Sequence, residues 1–187
     1  MTSGRSFHDG EDEDQIIISQ IFSGQKELFR LLIQRHERAV YGMGMSFFHN
    51  AEDASDFTQD VFFKAFRNLS QFEGQSRFST WLYRIAYNTA INSAARKKEY
   101  QSLAEEDISI EVDTPERKFL RNLACDAIQE AIKELPKRFR VCIDLYFFYD
   151  RSHKEIEIIT GYPINTIKSH VFRAKKLLRK KLDSLAE

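Results

Sequence analysis

Apolar residues recur at three- and four-residue intervals through most of this chain, the period of helices that bury one face. From Ile16 the pattern is helical, and in "LFRLLIQRHERAVYGMGM" it puts Leu28, Leu32, Ile33 and Val40 on roughly one face. Gly42 and Gly44 are expected to weaken or end that helix, since an interior glycine costs about 1 kcal/mol relative to alanine. Asn50 is placed to cap the next helix, with Asp53 three residues on in capping-box position. In "AEDASDFTQDVFFKAFRNL", Ala54, Phe57, Val61, Ala65 and Leu69 predict a buried stripe. After the loop "SQFEGQSRF", Ser79 or Thr80 opens a third helix, "WLYRIAYNTAINSAARKK", with Trp81, Leu82, Ile85, Ala86 and Thr89 facing inward.

The stretch "QSLAEEDISIEVDTPE" breaks the period, contains Pro115 and is thinly apolar, which predicts a linker. Beyond it Leu123, Ala127, Ile128, Ala131, Ile132 and Leu135 predict an amphipathic helix that stops before Pro136, and another covers Arg138 to about Phe148. Ser152 and Glu155 then form an S-x-x-E capping box, Gly161 supplies a left-handed stop, and Pro163 suits the first turn of a new helix. Ile164, Ile167, Val171, Ala174 and Leu178 continue that new helix at alternating three- and four-residue spacing, so the pair reads as a helix-turn-helix. No strand pattern and no repeat is visible. The expected fold is all-α, with two small helical domains at residues 15–100 and 119–187, an acidic disordered tail at 1–14 and an acidic linker at 101–118.

Composition adds to this picture mainly through how the charges are sorted. The chain of 187 residues carries 28 basic and 28 acidic residues, yet its neutrality is only a sum. Asp9 to Asp14 holds five acids in six residues, Glu52 to Asp60 has four acids and no base, and Leu103 to Glu116 has six acids and no base. Phe78 to Lys98 reverses the sign, with four bases and no acid, and "NTIKSHVFRAKKLLRKKL" at the end has seven bases and no acid. Segregation of this kind suits a nucleic-acid binder with a second, protein partner. Opposite the apolar stripe of the last helix lie Asn165, Lys168, Ser169, Phe172, Arg173 and Lys176, donors for base edges and phosphates plus one aromatic for a thymine methyl. Lys175, Arg179, Lys180 and Lys181 extend the charge towards backbone phosphates.

Catalytic chemistry finds no foothold. There is no glycine-rich phosphate loop and no Ser/His/Asp or Cys/His pairing. Neither a cofactor nor a metal site is expected, and the chain does not read as an enzyme. Cys125 and Cys142 sit in apolar helical surroundings as buried free thiols, while His36, His153 and His170 read as surface or capping residues. "TSGRSFHDGEDEDQ" after Met1 lacks the hydrophobic core of a signal peptide, and no apolar run approaches the about 20 residues that cross a bilayer. A cytoplasmic protein without membrane insertion is the expectation.

Two stretches resemble one family, the extracytoplasmic-function (group IV) sigma factors of bacterial RNA polymerase. "AIKELPKRFRVCIDLYFFYDRSHKEIEIITGYPINTIKSHVFRAKKLLRKKL" is similar to their region 4. "AEDASDFTQDVFFKAFRNLSQFEGQSRFSTWLYRIAYNTAIN" is similar to their region 2, with its F-x-T-W-L-x-R-I-x-x-N helix. The resemblance covers roughly residues 25–100 and 120–182. It implies a factor that directs promoter-specific initiation, with residues 15–100 as region 2 and 119–187 as region 4. Implied partners are the polymerase core, through its β′ clamp helices and β flap, promoter DNA, and an anti-sigma factor. The implied core-binding residues are Asp56, Gln59, Asp60 and Phe63. For the −10 element they are Phe72, Gly74, Gln75, Ser76, Arg77, Arg84, Tyr87, Asn88 and Asn92, with Tyr83 alongside. For the −35 element they are Thr166 on phosphate and Lys168, Ser169, Phe172, Arg173 and Lys176. The acidic linker would then keep off the DNA, mimic nucleic acid in a basic channel, or serve as a plain tether.

The first region 4 helix departs from the family pattern: Glu157 replaces a small alanine, Ile158 falls at a usually polar position, and Thr160 replaces a leucine. Either that helix is rotated or its packing on the recognition helix is altered. The alternative function is a helix-turn-helix transcriptional regulator that does not bind polymerase, which would leave the first 100 residues without a task.

Overall fold

A computed structural model describes residues 6–100, 128, 131–132 and 134–185, with side chains for 13–93, 128, 131–132 and 134–183. The chain divides into two compact units, Met1–Lys97 and Lys98–Glu187. Every regular element among the described residues is helical. No described helix is long and apolar enough to cross a membrane.

In the first unit α1 spans Ser6–Phe22, α2 Phe29–Phe48, α3 Ala51–Arg67 and α4 Phe78–Tyr100, with short 3-10 turns at Lys26–Leu28 and Leu69–Gln71. α1 overturns part of an expectation: residues 6–14 of the predicted disordered tail are helical. The reason lies in Ile17, Ile18 and Ile21, which are buried, and in Asp14, only 4% exposed. Its carboxylate takes a 2.8 Å hydrogen bond from His36 Nε2, and its Oδ1 faces Arg35 Nε at 3.1 Å as an ion pair outside hydrogen-bonding geometry. Arg35 also reaches Glu13. A buried carboxylate is tolerated only with such partners, so Glu13 and Asp14 tie α1 to α2.

α2 does not stop at its glycines. It runs on to Phe48 and ends at His49, whose left-handed φ of 55° lets its N–H donate to the Met45 carbonyl. Gly44 is there for space. A Cβ at that position would lie 2.8 Å from the Phe57 ring and 3.1 Å from the Ala54 Cα, so the helix backbone approaches α3 as closely as glycine permits. Asn50 caps α3 as predicted, accepting from the Glu52 and Asp53 N–H groups at 2.8 and 3.1 Å. Ala54, Phe57, Val61, Ala65 and Leu69 are all buried. α4 lays Leu82, Ala86 and Thr89 into the same core, and Lys64 Nζ donates to Thr89 Oγ1 at 3.2 Å to tie α3 to α4.

In the second unit α5 spans Lys137–Ile143 and runs into a π-helical turn, Asp144–Phe148; α6 is His153–Thr160 and α7 Ile164–Leu185. Leu135, Phe139, Ile143 and Ala174 form a core against which Leu178 packs. Arg140 is buried, and that burial lowers the pKa of its guanidinium against the opposing pull of Asp144 one turn on. The predicted linker at 101–118 and Cys125 lie outside the described residues. Of the helix predicted before Pro136, residues 128, 131 and 132 are helical and the rest lies largely outside them.

The Gly44 approach yields a test. Gly44→Ala should gain about 1 kcal/mol of helix propensity yet lose about 1–3 kcal/mol to overpacking, for a net loss on the order of 1 kcal/mol. A urea titration of the full chain would show a lower midpoint, and an unchanged or raised midpoint would contradict the close contact.

Candidate nucleic-acid interface

The helix-turn-helix is assembled by local hydrogen bonds. Ser152 and Glu155 make both halves of the capping box: the Glu155 N–H donates to Ser152 Oγ at 3.3 Å, and the Ser152 N–H donates to Glu155 Oε2 at 2.9 Å. Gly161 closes α6 at φ 74°, where its N–H reaches the Glu157 carbonyl at 2.8 Å. Ile156 and Ile159 are fully buried on the face towards the core, as the pattern of a regular helix requires. Of the departures at 157, 158 and 160, Ile158 is turned to solvent.

α7 begins beyond Pro163 and buries Ile167, Val171 and Ala174. That burial points Asn165, Lys168, Phe172, Arg173 and Lys176 outward, with Thr166 and Ser169 half-buried at the margin. Phe172 is 68% exposed, a large apolar surface in water on an acid-free face. Two of the predicted phosphate cations have protein neighbours: Lys175 Nζ lies 4.8 Å from the centre of the Phe147 ring, and Lys181 pairs with Glu134. His170, read from sequence as a surface or capping residue, instead packs edge-on against Tyr162 and beside Phe139 and Cys142. Burial, then Arg138 and Arg173, lower its pKa, so the imidazole stays neutral near pH 7 and adds no charge to the face. His153 likewise stacks on Tyr146 and His36 holds Asp14, so all three histidines are structural.

In the first unit the predicted −10 residues separate into two sets. Gly74, Gln75, Arg77, Arg84, Asn88 and Asn92 are exposed, Ser76 is half-buried, and Arg84, Asn88 and Asn92 form a ridge along α4. Phe72 and Tyr87 form the second, buried set. Each is 7% exposed: Phe72 packs against Phe78 and Trp81, and Tyr87 sits edge-on to Phe47, so neither ring offers a face to a base. Tyr83 is buried as well. Gly74 takes a φ of 70° that favours glycine and lets the loop turn beside Gln15 of α1.

Asp56, Gln59, Asp60 and Phe63 all lie exposed on α3. Asp60 is ion-paired with Lys64 at 2.7 Å, and Arg67 covers the Phe63 ring at 5.6 Å, yet Phe63 remains 60% exposed. Beside it a groove of about 810 Å³ opens between α2 and α3, lined by Phe29, Ile33, Tyr41, Phe62, Phe63 and Phe66. Sequence reading found only Phe63 of this set. The signal it missed was Phe66, one turn on and also exposed, with which Phe29 makes an edge contact at 5.0 Å. Among the described residues no group of three or more His, Cys, Asp or Glu side chains is placed to hold a metal ion.

Comparison with known proteins adds a second line of observation. Residues 32–100 match the family model for sigma-70 region 2 and residues 125–178 that for sigma-70 region 4. The chain is 32% identical over 186 residues to the RNA polymerase sigma-H factor of Pseudomonas aeruginosa, covering 94% of this chain and 96% of that one. It is 31% identical over 183 residues to the ECF RNA polymerase sigma-E factor of Haemophilus influenzae, covering 92% and 96%. Among solved structures, CnrH in complex with the cytosolic domain of CnrY aligns with a TM-score of 0.67 at 23% identity, covering 91% of this chain and 97% of that one. The sigma factor RpoE in complex with the anti-sigma factor NepR from Bartonella quintana aligns with a TM-score of 0.70 at 23% identity, covering 83% and 96%. At that identity the structural likeness speaks to the fold.

Cys142, behind the recognition face, is buried against His170, and burial pushes its thiol up to about 12. Cys142 therefore stays a thiol, without its reactive thiolate, near neutral pH. A short iodoacetamide pulse at about pH 8, just below the ordinary thiol pKa, should leave Cys142 unmodified in buffer and modify it in denaturant. Peptide mass mapping reads the result, and full labelling of the native chain would contradict it.

Proposed function

The chain belongs to the extracytoplasmic-function sigma factors of the sigma-70 superfamily, and from that premise we propose how its surfaces share the work of promoter-directed initiation. As a member it binds RNA polymerase core and promoter DNA and directs where transcription starts. It does so by binding alone, with no bond chemistry of its own, and it works in the cytoplasm where the polymerase is. Residues 15–100 act as region 2 and 119–187 as region 4, with 101–118 between them as linker.

The outward face of α7 carries the reading most directly. It combines a basic, acid-free surface with one exposed aromatic, held in place by a fully buried stripe on its other side. Lys168, Ser169, Phe172, Arg173 and Lys176 read the −35 element from the major groove, and Thr166 holds a phosphate. Region 2 captures the −10 strand in single-stranded form with Gly74, Gln75, Ser76, Arg77, Arg84, Asn88 and Asn92. Unstacking a base costs a few kcal/mol, which amide and guanidinium contacts along the α4 ridge offset. Because Phe72 and Tyr87 are in the core, they shape this surface from beneath instead of stacking on bases.

Polymerase core docks on α3 through Asp56, Gln59, Asp60 and Phe63, and the neighbouring α2–α3 groove widens that patch. An apolar floor with Lys26, Glu37 and Arg38 among its lining suits an amphipathic helical partner. Region 4 meets the β flap. An anti-sigma factor is a further proposed partner, in keeping with the RpoE relative solved with NepR.

Arg173→Ala tests the assignment of α7. If the guanidinium reads a guanine edge, holoenzyme affinity for a −35-containing promoter should fall by about 1–3 kcal/mol, with little change on a promoter whose −35 is scrambled. Competition binding of the two duplexes makes the measurement, and an unchanged −35 preference would remove Arg173 from the reading face.

A further inference from the structure

The turn of the helix-turn-helix comprises Gly161, Tyr162 and Pro163, and its backbone donors can be accounted for one by one. The Gly161 N–H donates to the Glu157 carbonyl at 2.8 Å. The Tyr162 N–H donates to Thr160 Oγ1 at 3.2 Å. Pro163 has no N–H to give. The Ile164 N–H, the first of α7, donates to Glu157 Oε1 at 3.2 Å. Two side chains thus complete the turn, and they stand at positions where the chain departs from the alanine and leucine usual in the family. A single residue, Glu157, holds both ends: its carbonyl closes α6 and its carboxylate opens α7.

We propose that Glu157 is a positioning residue for −35 reading, one that sets the angle at which α7 presents Lys168, Phe172 and Arg173. The proposal rests on the assignment of α7 to the −35 element. α6 and α7 pack on one another, and Ile156 and Ile159 of the one and Ile167 and Val171 of the other are all buried. Apolar contact of this sort is non-directional and tolerates small rotations, whereas a hydrogen bond from the first amide of a helix is directional. The carboxylate also lies at the positive end of the α7 dipole, which strengthens the bond. Base reading needs that direction: a bidentate contact to a base edge is lost when a side chain's origin shifts by about 1 Å.

The test compares full-length holoenzymes carrying wild type, Glu157→Ala and Glu157→Gln on a pool of promoter duplexes with a randomised −35 region, sequencing bound against input. Glutamine keeps the Oε1 acceptor and should retain the wild-type sequence profile. Alanine removes it and should flatten the profile, lowering the ratio of the best-bound to the median sequence by about tenfold, the discrimination of one base pair. Glu157→Asp, which keeps the charge but shortens the reach, should flatten the profile too and stands in if the alanine variant folds poorly by circular dichroism. An alanine profile identical to wild type would overturn the proposal and leave Glu157 a cap for stability alone. A glutamine profile as flat as alanine's would overturn it as well. A flat wild-type profile would instead remove the −35 assignment of α7 on which the proposal rests.

Discussion

What the second unit can do depends on the one-sided burial of α7. Ile167, Val171 and Ala174 are taken out of water while the opposite face is left to solvent. Burying an isoleucine or valine side chain contributes roughly 1.5–3 kcal/mol, and a rotation of the helix would forfeit Ile167 and Val171 together. The apolar stripe therefore fixes which residues face outward. Lys168, Phe172, Arg173 and Lys176 are exposed as a consequence of what lies behind them. The turn bonds of Glu157 and Thr160 then refine what packing has set coarsely.

The first unit solves a different problem, keeping aromatic surface available without collapsing it. Phe72, Phe78 and Trp81 pack on one another with ring centres 5.5 to 5.8 Å apart and stiffen the base of the loop that leads into α4. On the far side of α3, Phe63 and Phe66 remain exposed over a groove, and α3 is held against α2 by the gap that Gly44 leaves. Two faces of one small bundle are thus left exposed, a polar ridge along α4 and an aromatic groove between α2 and α3. The Asp14 pairing with Arg35 and His36 adds α1 to the same bundle.

Where the function of a residue follows from its neighbours in sequence, it was legible beforehand. The α3 stripe, the Asn50 cap, the Ser152–Glu155 box and the Gly161 stop are all short-range features, and each appears where the pattern put it. Features that depend on a distant partner were not legible. Asp14 sits in an acidic run that reads as solvated tail until its partners on α2 are known. Gly44 reads as a helix breaker until the close approach of α3 is seen. Phe72 and Tyr87 carry no local mark that separates a ring facing DNA from a ring facing the core, because helical periodicity alone allows both. Glu157 was noticed as a departure, but its bond across the turn to Ile164 required the fold.

The central claim is that the chain joins polymerase as its promoter-reading subunit. Gel filtration of the full chain with bacterial core RNA polymerase tests it most directly. Co-elution in equal amounts is predicted, together with loss of co-elution for Phe63→Ala at unchanged helicity, since truncating a central aromatic anchor typically costs 2 kcal/mol or more of binding, on the order of 30-fold. Elution of the wild-type chain apart from the core enzyme of a close host would contradict the account.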